Sequence, residues 1–339
     1  MTAAEQRSPF EQVQALADVC TPFAIRAATS LRVPALIASG TCELGELARA
    51  CGANQDALGR LLRHLACKGL FTEPSPGRFE LTETGRVLAD PDPVGLADWL
   101  DLSGPAARAD LACTELLHSV RTGEPAYAAV HGRTFWEDLD AEPAYQEFYD
   151  QVMIQEHQGQ GPSVAALYDW SSAKLVVDVG GGTGALLAQV LRAHPHLRAV
   201  LVDRPAPAAV TVRRLAGWGL ADRVEVSTGD FFGELPAGGD VYLVSRALSD
   251  WDDARALTIL RRCADAAGTH GRVLVVELMH GEPFVPHGTP FDLYMLAVVG
   301  GRERSPDDLA AIARQAGLPA TRAIHGPGGL LLFEMRAAL

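Results

Sequence analysis

The sequence predicts an α/β protein in which a mostly parallel, seven-stranded sheet follows a helical region containing a winged-helix unit. Three observations support this fold class. From residue 174 onward, short apolar runs alternate with segments of helical period, as in a parallel sheet covered by helices. A glycine-rich loop directly follows the first of these runs. Before it, residues 41–89 contain two helical patterns and then two short strand patterns around a turn.

Size and composition limit the classes of protein to which the chain can belong. Its 339 residues suffice for two or three compact units. A net charge of −13 argues against a nucleic-acid partner, because duplex binding depends on Lys and Arg at the phosphates. No stretch approaches the roughly 18 apolar residues of a membrane helix, and the polar first residues lack a secretory pattern. We therefore expect a cytoplasmic protein with no membrane partner.

The cysteines predict neither disulfides nor a metal site. The sequence has six, with no CxxC pair and no histidine at metal-ligand spacing. We expect them to be reduced and mostly packed, and we expect no metal.

The N-terminal region has an amphipathic helical pattern between residues 9 and 38. Its apolar residues recur at helical spacing, at Val13, Leu16, Val19 and Phe23 and then at Leu31, Val33, Leu36 and Ile37. Such a surface could pack against the rest of the chain or against a second subunit.

The winged-helix prediction comes from residues 41–89. The segment LGELARACG ends at a glycine cap, and the next helix opens with Asn54 as its N-cap. The segment FTEPSPGRFELTETG then supplies the two strands of a wing. A unit of this kind can place a helix in a DNA groove, but the acidic composition favours a dimerisation or packing module.

Residues 91–172 are predicted to be helical with loop breaks, and the sheet follows. The clearest helix covers residues 145–159, YQEFYDQVMIQEHQG. The predicted strands cover residues 175–180, 199–203, 224–230, 241–248 and 272–279, with a final strand in a hairpin near residues 324–336.

The glycine-rich loop, DVGGGTG at residues 178–184, indicates a cofactor site. The tight turn and the close approach of backbone to ligand require glycine, and Asp203 ends the next strand, where a carboxylate can accept from ribose hydroxyls. Gly180, Gly182 and Ala185 also satisfy the G-x-G-x-x-A pattern of nicotinamide-binding proteins.

Two further features favour S-adenosylmethionine (SAM) over a nicotinamide. Asp178 lies just inside the loop, where an acid would repel a pyrophosphate but could help a cationic amino-acid group. Asp230 and Phe231 end the third strand, where a carboxylate can accept a hydrogen bond from the adenine amino group and a phenyl ring can lie against the base.

With these motifs the chain resembles bacterial natural-product O-methyltransferases, of the family that includes plant caffeate and isoflavone O-methyltransferases. The matching pieces are DVGGGTG, LVDRP (201–205), GDFF (229–232), SRALSDWDD (245–253), VVEL (275–278) and DLYMLAVVGGRERS (292–305). The resemblance implies a homodimer and SAM contacts from the residues Gly180, Gly182, Asp203, Asp230, Phe231, Ser245 and Arg246. It also implies an acceptor site near Met153, Asp292 and Met295, to which we add His157 from the helical face of Met153.

The catalytic base of the resembled family is a His before Asp-Trp, flanked by two Glu residues. This chain has Ser249 before Asp250, so the expected base is missing, whereas Glu277 and Glu303 match the two acids. The replacements to weigh are His157, on the same helical face as Met153, then His280 and Asp250. None of the three stands out from the sequence alone.

Three functions follow from these expectations. The leading hypothesis is a SAM-dependent O-methyltransferase that acts on a hydroxyl of an aromatic or polyketide-type molecule without a strong base. The second is a family member that keeps SAM but performs hydroxylation, decarboxylation or rearrangement, and the third is a DNA-binding regulator. The predicted domains are residues 1–95 for dimerisation and the winged helix, 96–172 for a helical linker with substrate-pocket residues, and 173–339 for the SAM domain.

Overall fold

The structure is a computed structural model that describes residues 8–89, 95–280 and 289–337. The chain divides into two compact units, residues 1–108 and 109–339.

The first unit consists of short helices and one hairpin. Its elements are α1 (Pro9–Leu16), α2 (Cys20–Ser30), α3 (Val33–Ala38), α4 (Leu44–Cys51), α5 (Gln55–Cys67), β1 (Phe71–Ser75), β2 (Arg78–Leu81), α6 (Glu83–Arg86), α7 (Leu96–Leu100) and the start of α8 (Pro105–Leu111).

The helix-helix-hairpin order predicted for residues 41–89 is confirmed. Gly52 ends α4 with a φ of 66°, and the side chain of Asn54 accepts from the backbone N–H of Ala57 at the start of α5. The strands β1 and β2 pair antiparallel, with Phe71 opposite Leu81. A core that includes fully buried residues of α3, α4, α5, β1 and β2 holds this part of the unit together.

The N-terminal helical pattern is broken where the sequence suggested continuity. The chain leaves the helix after α1, and it turns again at Arg32, whose φ is 55°. α1 buries none of its residues, so its apolar face is exposed, with Phe10 at 74% and Leu16 at 88%. The expectation that the cysteines are mostly packed is wrong, since Cys20, Cys67 and Cys113 are exposed.

The second unit is an α/β domain with a helical start. Its helices are α9 (Leu116–Thr122), α10 (Tyr127–His131), α11 (Phe135–Ala141), α12 (Pro143–Leu167), α13 (Ala185–Ala193), α14 (Pro205–Gly217), α15 (Asp253–Ala267), α16 (Pro290–Val298) and α17 (Pro306–Gln315). Its strands are β3 (Leu175–Val179), β4 (Arg198–Asp203), β5 (Val224–Thr228), β6 (Val241–Ser245), β7 (Arg272–Leu278), β8 (Ala320–His325) and β9 (Leu330–Arg336).

The seven strands form one sheet in the order β5-β4-β3-β6-β7-β9-β8. The first five are parallel, whereas β9 pairs antiparallel with both β7 and β8. The predicted fold class is therefore confirmed. The order reverses between β3 and β6, and in such sheets ligands bind at the carboxyl ends of the strands beside this switch point.

Alternate residues of the strands face opposite sides of the sheet, and each side has its own core. Val176, Leu201 and Leu243 belong to one buried cluster, together with residues of α12 and α13. Val177, Tyr242 and Val275 belong to the other, together with residues of α15 and α17. This double-sided burial explains why the strands appear in the sequence as nearly continuous apolar runs.

One strand end differs from its prediction in a way that matters for the site. The strand predicted to reach residue 248 ends at Ser245, because Arg246 adopts a left-handed backbone with a φ of 53°. Over the three described stretches of the chain, no helix is long and apolar enough to cross a membrane.

Candidate active site

A cavity of about 270 Å³ lies at the carboxyl ends of the parallel strands. Loops that follow β3, β4, β5 and β6 form one wall, and α11 and α12 form the other. The lining includes Gly180–Thr183, Asp203, Arg204, Gly229–Phe232, Ser245–Ala247, Asp250 and Trp251 from the sheet side, and Trp136, Gln146, Tyr149, Met153 and His157 from the helices.

The glycine loop has a backbone that other residues rarely adopt. Gly180 and Gly182 have φ values of 70° and 53°. Gly181 is close to its surroundings, because a Cβ there would lie 2.6 Å from both a carboxylate oxygen of Asp178 and Leu201. Glycine is therefore required at residues 180 and 182 by the backbone conformation, and at residue 181 by the lack of space for a side chain.

Two aspartates support the loop. Asp203 accepts from the backbone N–H of Gly182 at 2.6 Å and from that of Arg204 at 2.7 Å, while burial raises its pKa. Asp178 is 2% exposed, and burial followed by the charge of Asp203 raises its pKa to about 7. Asp203 lines the cavity and Asp178 lies buried behind the loop, so this part of the cavity favours cationic and hydroxyl-bearing ligands.

Aromatic rings also line the cavity. Trp136 stacks on Trp251 with ring centroids 5.9 Å apart, and Phe231 meets Trp251 edge to face at 6.0 Å. Asp230, next to Phe231, is exposed and accepts from the backbone N–H of Phe232. Flat apolar walls beside a carboxylate suit a heteroaromatic ring that carries an amino group.

Arg246 and His157 both line the cavity, and each has a buried nitrogen without a hydrogen-bond partner. The Arg246 guanidinium lies 3.3 Å from a carboxylate oxygen of Glu156, and its other terminal nitrogen, Nη1, is buried without a hydrogen-bond partner. His157 Nε2 lies 3.4 Å from the Ser245 hydroxyl, and its Nδ1 is buried without a partner. Burial lowers the pKa of His157 to about 4, so this ring is neutral near pH 7.

Ser249 and Asp250 lie on a short turn after β6, but they border different spaces. The Ser249 hydroxyl donates to Glu277 Oε2 at 3.1 Å, and its backbone N–H donates to Oε1 at 3.2 Å. Asp250 borders the main cavity. Burial, then the charge of Glu277, raises the pKa of Asp250 to about 8, and burial also raises the pKa of Glu277.

A second, smaller pocket contains the other predicted acid. Glu303 is 3% exposed and accepts from His280 Nδ1 at 2.6 Å and from the Thr289 hydroxyl. Ser249 and Glu277 line the same pocket, and Arg246 borders both this pocket and the main cavity.

Two predicted substrate-pocket residues lie outside both of these spaces. The carboxylate of Asp292 accepts from the backbone N–H of Glu303 at 2.7 Å. Met295 is buried in an apolar cluster with Tyr127 and Val298. By contrast, Met153 and His157 line the main cavity. The roles predicted for all four residues stay predictions.

The contacts of Arg304 could not be predicted from the sequence. This buried guanidinium donates to the backbone carbonyls of Leu248 and Trp251, each at 2.7 Å, and binds the Asp253 carboxylate. It thereby holds the turn that carries Ser249 and Asp250. The segment GGRERS suggested a role for Glu303, but it contains no sign that the next residue contacts a turn more than 50 residues away.

A doubly wound sheet with a left-handed glycine loop and two carboxylates at its switch point defines an enzyme class that binds a nucleoside-containing cofactor. Among the described residues, no group of three or more His, Cys, Asp or Glu could hold a metal. Comparison with known families narrows this class. An O-methyltransferase dimerisation domain matches residues 13–91, and an O-methyltransferase domain matches residues 113–319. The protein belongs to the O-methyltransferase family.

Its relatives come from bacterial natural-product pathways. It is 45% identical over 325 residues to the 2,7-dihydroxy-5-methyl-1-naphthoate 7-O-methyltransferase of Streptomyces carzinostaticus, covering 96% of this chain and 97% of the relative. It is 42% identical over 308 residues to the aclacinomycin 10-hydroxylase RdmB of Streptomyces purpurascens, covering 89% and 82%.

A solved structure matches nearly the whole chain as well. This structure is NcsB1, an O-methyltransferase from neocarzinostatin biosynthesis, in complex with SAM and 2-hydroxy-5-methyl naphthoic acid. It superposes with a TM-score of 0.87 at 45% identity, covering 96% of this chain and 98% of that one.

Proposed function

We propose that the protein transfers the methyl group of SAM to a hydroxyl of an aromatic or polyketide-type molecule in natural-product biosynthesis. The observation that carries this proposal is the cavity at the switch point, bordered by the left-handed glycine loop and Asp203, in a chain of this family. The relatives that act on naphthoate and other aromatic compounds support the substrate class.

The residues around the cavity fit SAM. The loop at Gly180–Gly182 has no side chain that would keep a ligand from its backbone. Five lining residues each have a buried polar atom without a partner in the protein, as expected of a site built for a polar ligand: Trp136, Gln146, His157, Arg246 and Trp251. When bound, SAM supplies an electrophilic methyl group on its sulfonium.

The chain's own residues divide the binding task. We assign the ribose hydroxyls to Asp203, and the adenine to Asp230 and Phe231 with Trp251 as a wall. Ser245, Arg246 and the glycine loop with Gly180 and Gly182 border the methionine end in this assignment. Because Asp178 has a pKa of about 7, its carboxyl can ionise beside a cationic ligand at little cost.

Ser249 and Asp250, on the acceptor side of the site, are not strong bases, so we assign this side mainly the task of positioning the acceptor. A serine hydroxyl at residue 249 cannot take a phenolic proton near neutral pH, and it already donates to Glu277. Asp250 has a pKa of about 8 and borders the cavity, so it can give weak assistance. Holding an acidic aromatic hydroxyl close to the methyl group can supply much of the rate enhancement by itself.

The test is incubation of the purified protein with SAM and a panel of phenols that includes 1,4-dihydroxy-2-naphthoic acid. We expect formation of S-adenosylhomocysteine (SAH) together with a methylated acceptor, both measured by mass spectrometry. If SAM binds tightly and no phenol is methylated, the transferase proposal is wrong. The variant Ser249→His should raise methylation if the site is otherwise intact.

A second candidate function is supported by one relative and one residue. The similarity to aclacinomycin 10-hydroxylase and the serine at residue 249 both agree with a member that keeps SAM but does not transfer its methyl group. The two functions differ in SAM consumption. Product that forms while SAM remains unchanged would favour this second candidate.

We also propose a homodimer and the cytoplasm as its location. The dimerisation-domain match and the exposed apolar face of α1 support the dimer, which light scattering after gel filtration tests. SAM is synthesised in the cytoplasm, which supports that location. The boundaries 1–95, 96–172 and 173–339 remain our proposed division by function.

A further inference from the structure

The small pocket next to the main cavity contains an imidazole held by a buried acid. His280 lies two residues after the end of β7, and Glu303 lies in the loop before α17. His280 Nδ1 and Glu303 Oε1 are 2.6 Å apart. The other oxygen of Glu303 accepts from the Thr289 hydroxyl, so both carboxylate oxygens have a donor.

Packing fixes the plane of the His280 ring. The ring lies on Phe291 with centroids 4.1 Å apart and an angle of 34° between the planes. Glu303 is only 3% exposed, while the His280 side chain is 33% exposed. A buried carboxylate therefore orients an imidazole that remains accessible from the pocket.

This geometry determines which ring nitrogen carries the proton. A carboxylate that accepts from Nδ1 selects the Nδ1–H tautomer and leaves the Nε2 lone pair free to take a proton. Within the described ranges no residue hydrogen-bonds to Nε2. An acid, an oriented imidazole and an Nε2 that no described residue engages form the arrangement by which enzymes hold a histidine base.

We propose that His280, oriented by Glu303, is the general base for the acceptor hydroxyl, in place of the histidine that residue 249 lacks. This inference rests on the proposed methyltransferase function. The acceptor O–H bond breaks, its proton bonds to Nε2, and the electron pair stays on the acceptor oxygen. The imidazolium then loses this proton to water.

The location supports the assignment. Ser249 and Glu277 line the same pocket as His280, and Arg246 lines both this pocket and the main cavity. The charged groups that face the pocket are Arg246, Glu277, Arg302, Glu303 and Arg304. His157 is a poorer base, because burial lowers its pKa to about 4 and no acid orients its ring.

The experiment compares the full-length wild type with His280→Asn, Glu303→Gln and the control His270→Asn. Asn keeps a donor near the Nδ1 position but has no basic nitrogen, whereas His270 lies exposed in the turn before β7. We expect His280→Asn to lower kcat about 10²-fold or more with a phenol that the wild type methylates. The KM of the phenol and the Kd of SAH should change less than threefold.

Two further readouts separate a base from a residue that only stabilises the fold. The acid limb of the kcat profile against pH should disappear in His280→Asn and persist in His270→Asn. In ¹⁵N-histidine NMR spectra of the wild type bound to SAH, the signals missing from His280→Asn should report the Nδ1–H tautomer. They should shift when 1,4-dihydroxy-2-naphthoic acid is added, and His280→Gln gives the same assignment if the Asn variant does not fold.

The outcomes distinguish this inference from the proposed function. If the wild type methylates a phenol and His280→Asn retains kcat and the acid limb, His280 is not the base and the methyltransferase proposal stands. An Nε2–H tautomer for His280 overturns the inference without any activity measurement. If the wild type methylates no phenol, the proposed function fails and the base assignment fails with it.

Discussion

Replacing Arg304 tests whether one buried cation holds the turn that carries Ser249 and Asp250. In Arg304→Met, the Trp251 carbonyl loses its donor, and a buried acceptor without a partner costs about 1–3 kcal/mol. The Leu248 carbonyl keeps the backbone N–H of Trp251 but loses a hydrogen bond to a charged group, which contributes about 1.5–3 kcal/mol. The lost ion pair adds at most about 1 kcal/mol, since Asp253 is 52% exposed. Relief of the guanidinium's own desolvation offsets part of the loss.

These contributions predict that Arg304→Met lowers the free energy of unfolding by about 2–5 kcal/mol. Arg302→Met is the matched control, because Arg302 binds the same Asp253 carboxylate at 2.7 Å but is 39% exposed. The control should lose less than about 1 kcal/mol. Arg304→Lys should recover part of the loss, since an ammonium can reach one carbonyl but not both.

Equilibrium urea unfolding at a fixed protein concentration measures these differences, and isothermal titration measures SAM affinity. Arg304→Met should also weaken SAM binding, because the same turn places Trp251 in the cavity wall. Unfolding free energies of Arg304→Met and Arg302→Met that agree within 1 kcal/mol would refute this account of the turn.

Three other predictions concern the cofactor loop. Because the pKa of Asp178 rises from 3.8 to about 7 on folding, the native state retains a proton that the unfolded chain has released between about pH 4 and 7. This group therefore lowers stability as pH rises through that window, by up to about 1.4 kcal/mol per pH unit, and Asp178→Asn should remove that slope in urea unfolding. Parallel pH curves for the variant and the wild type would contradict this. Gly181→Ala should lower Tm and SAM affinity, because its Cβ would lie 2.6 Å from Leu201. Gly182→Ala places its Cβ in open space and should cost only about 1–2 kcal/mol of backbone strain. Equal losses of Tm for the two variants in a melting assay would count against this. Asp203→Ala should raise the Kd of SAM about tenfold or more, since hydrogen bonds to a charged group contribute about 1.5–3 kcal/mol. A change in Kd of less than threefold in calorimetry would show that Asp203 does not bind SAM.

The sheet could be predicted well from the sequence because its signal is local. Five parallel strands were predicted at nearly the right residues, since buried strands appear as apolar runs between turn residues. The strand ends were less accurate. The extension of β6 to residue 248 failed because Arg246 turns left-handed, and a local apolar pattern contains no information about that turn.

The long helix shows how packing overrides a local rule. The sequence predicted a helix over residues 145–159, yet α12 continues to Leu167 through Pro162. Its continuation packs on α13, and Gly161 approaches Gln189 so closely that a Cβ would lie 2.6 Å from that side chain. A neighbouring helix thus stabilises a segment that propensity alone would end.

In the site, too, local features could be predicted from the sequence and long-range contacts could not. The glycine loop and Asp203 could be predicted because they form a motif of short spacing. The bond between His280 and Glu303 and the contacts of Arg304 join residues 23 to 56 positions apart, so only the folded chain reveals them. Single side chains were therefore predictable as candidates, while their pairings were not.

The position of β9 inside the sheet affects how the chain folds during its synthesis. β7, which carries Glu277, pairs with β6 on one side and with β9 on the other, where Leu331 lies opposite Glu277. A ribosome makes β9 more than 50 residues after β7. Until residues 330–336 emerge, β7 exposes an unpaired apolar edge to other nascent chains. The strand that carries this acid is therefore among the last parts of the domain to become protected.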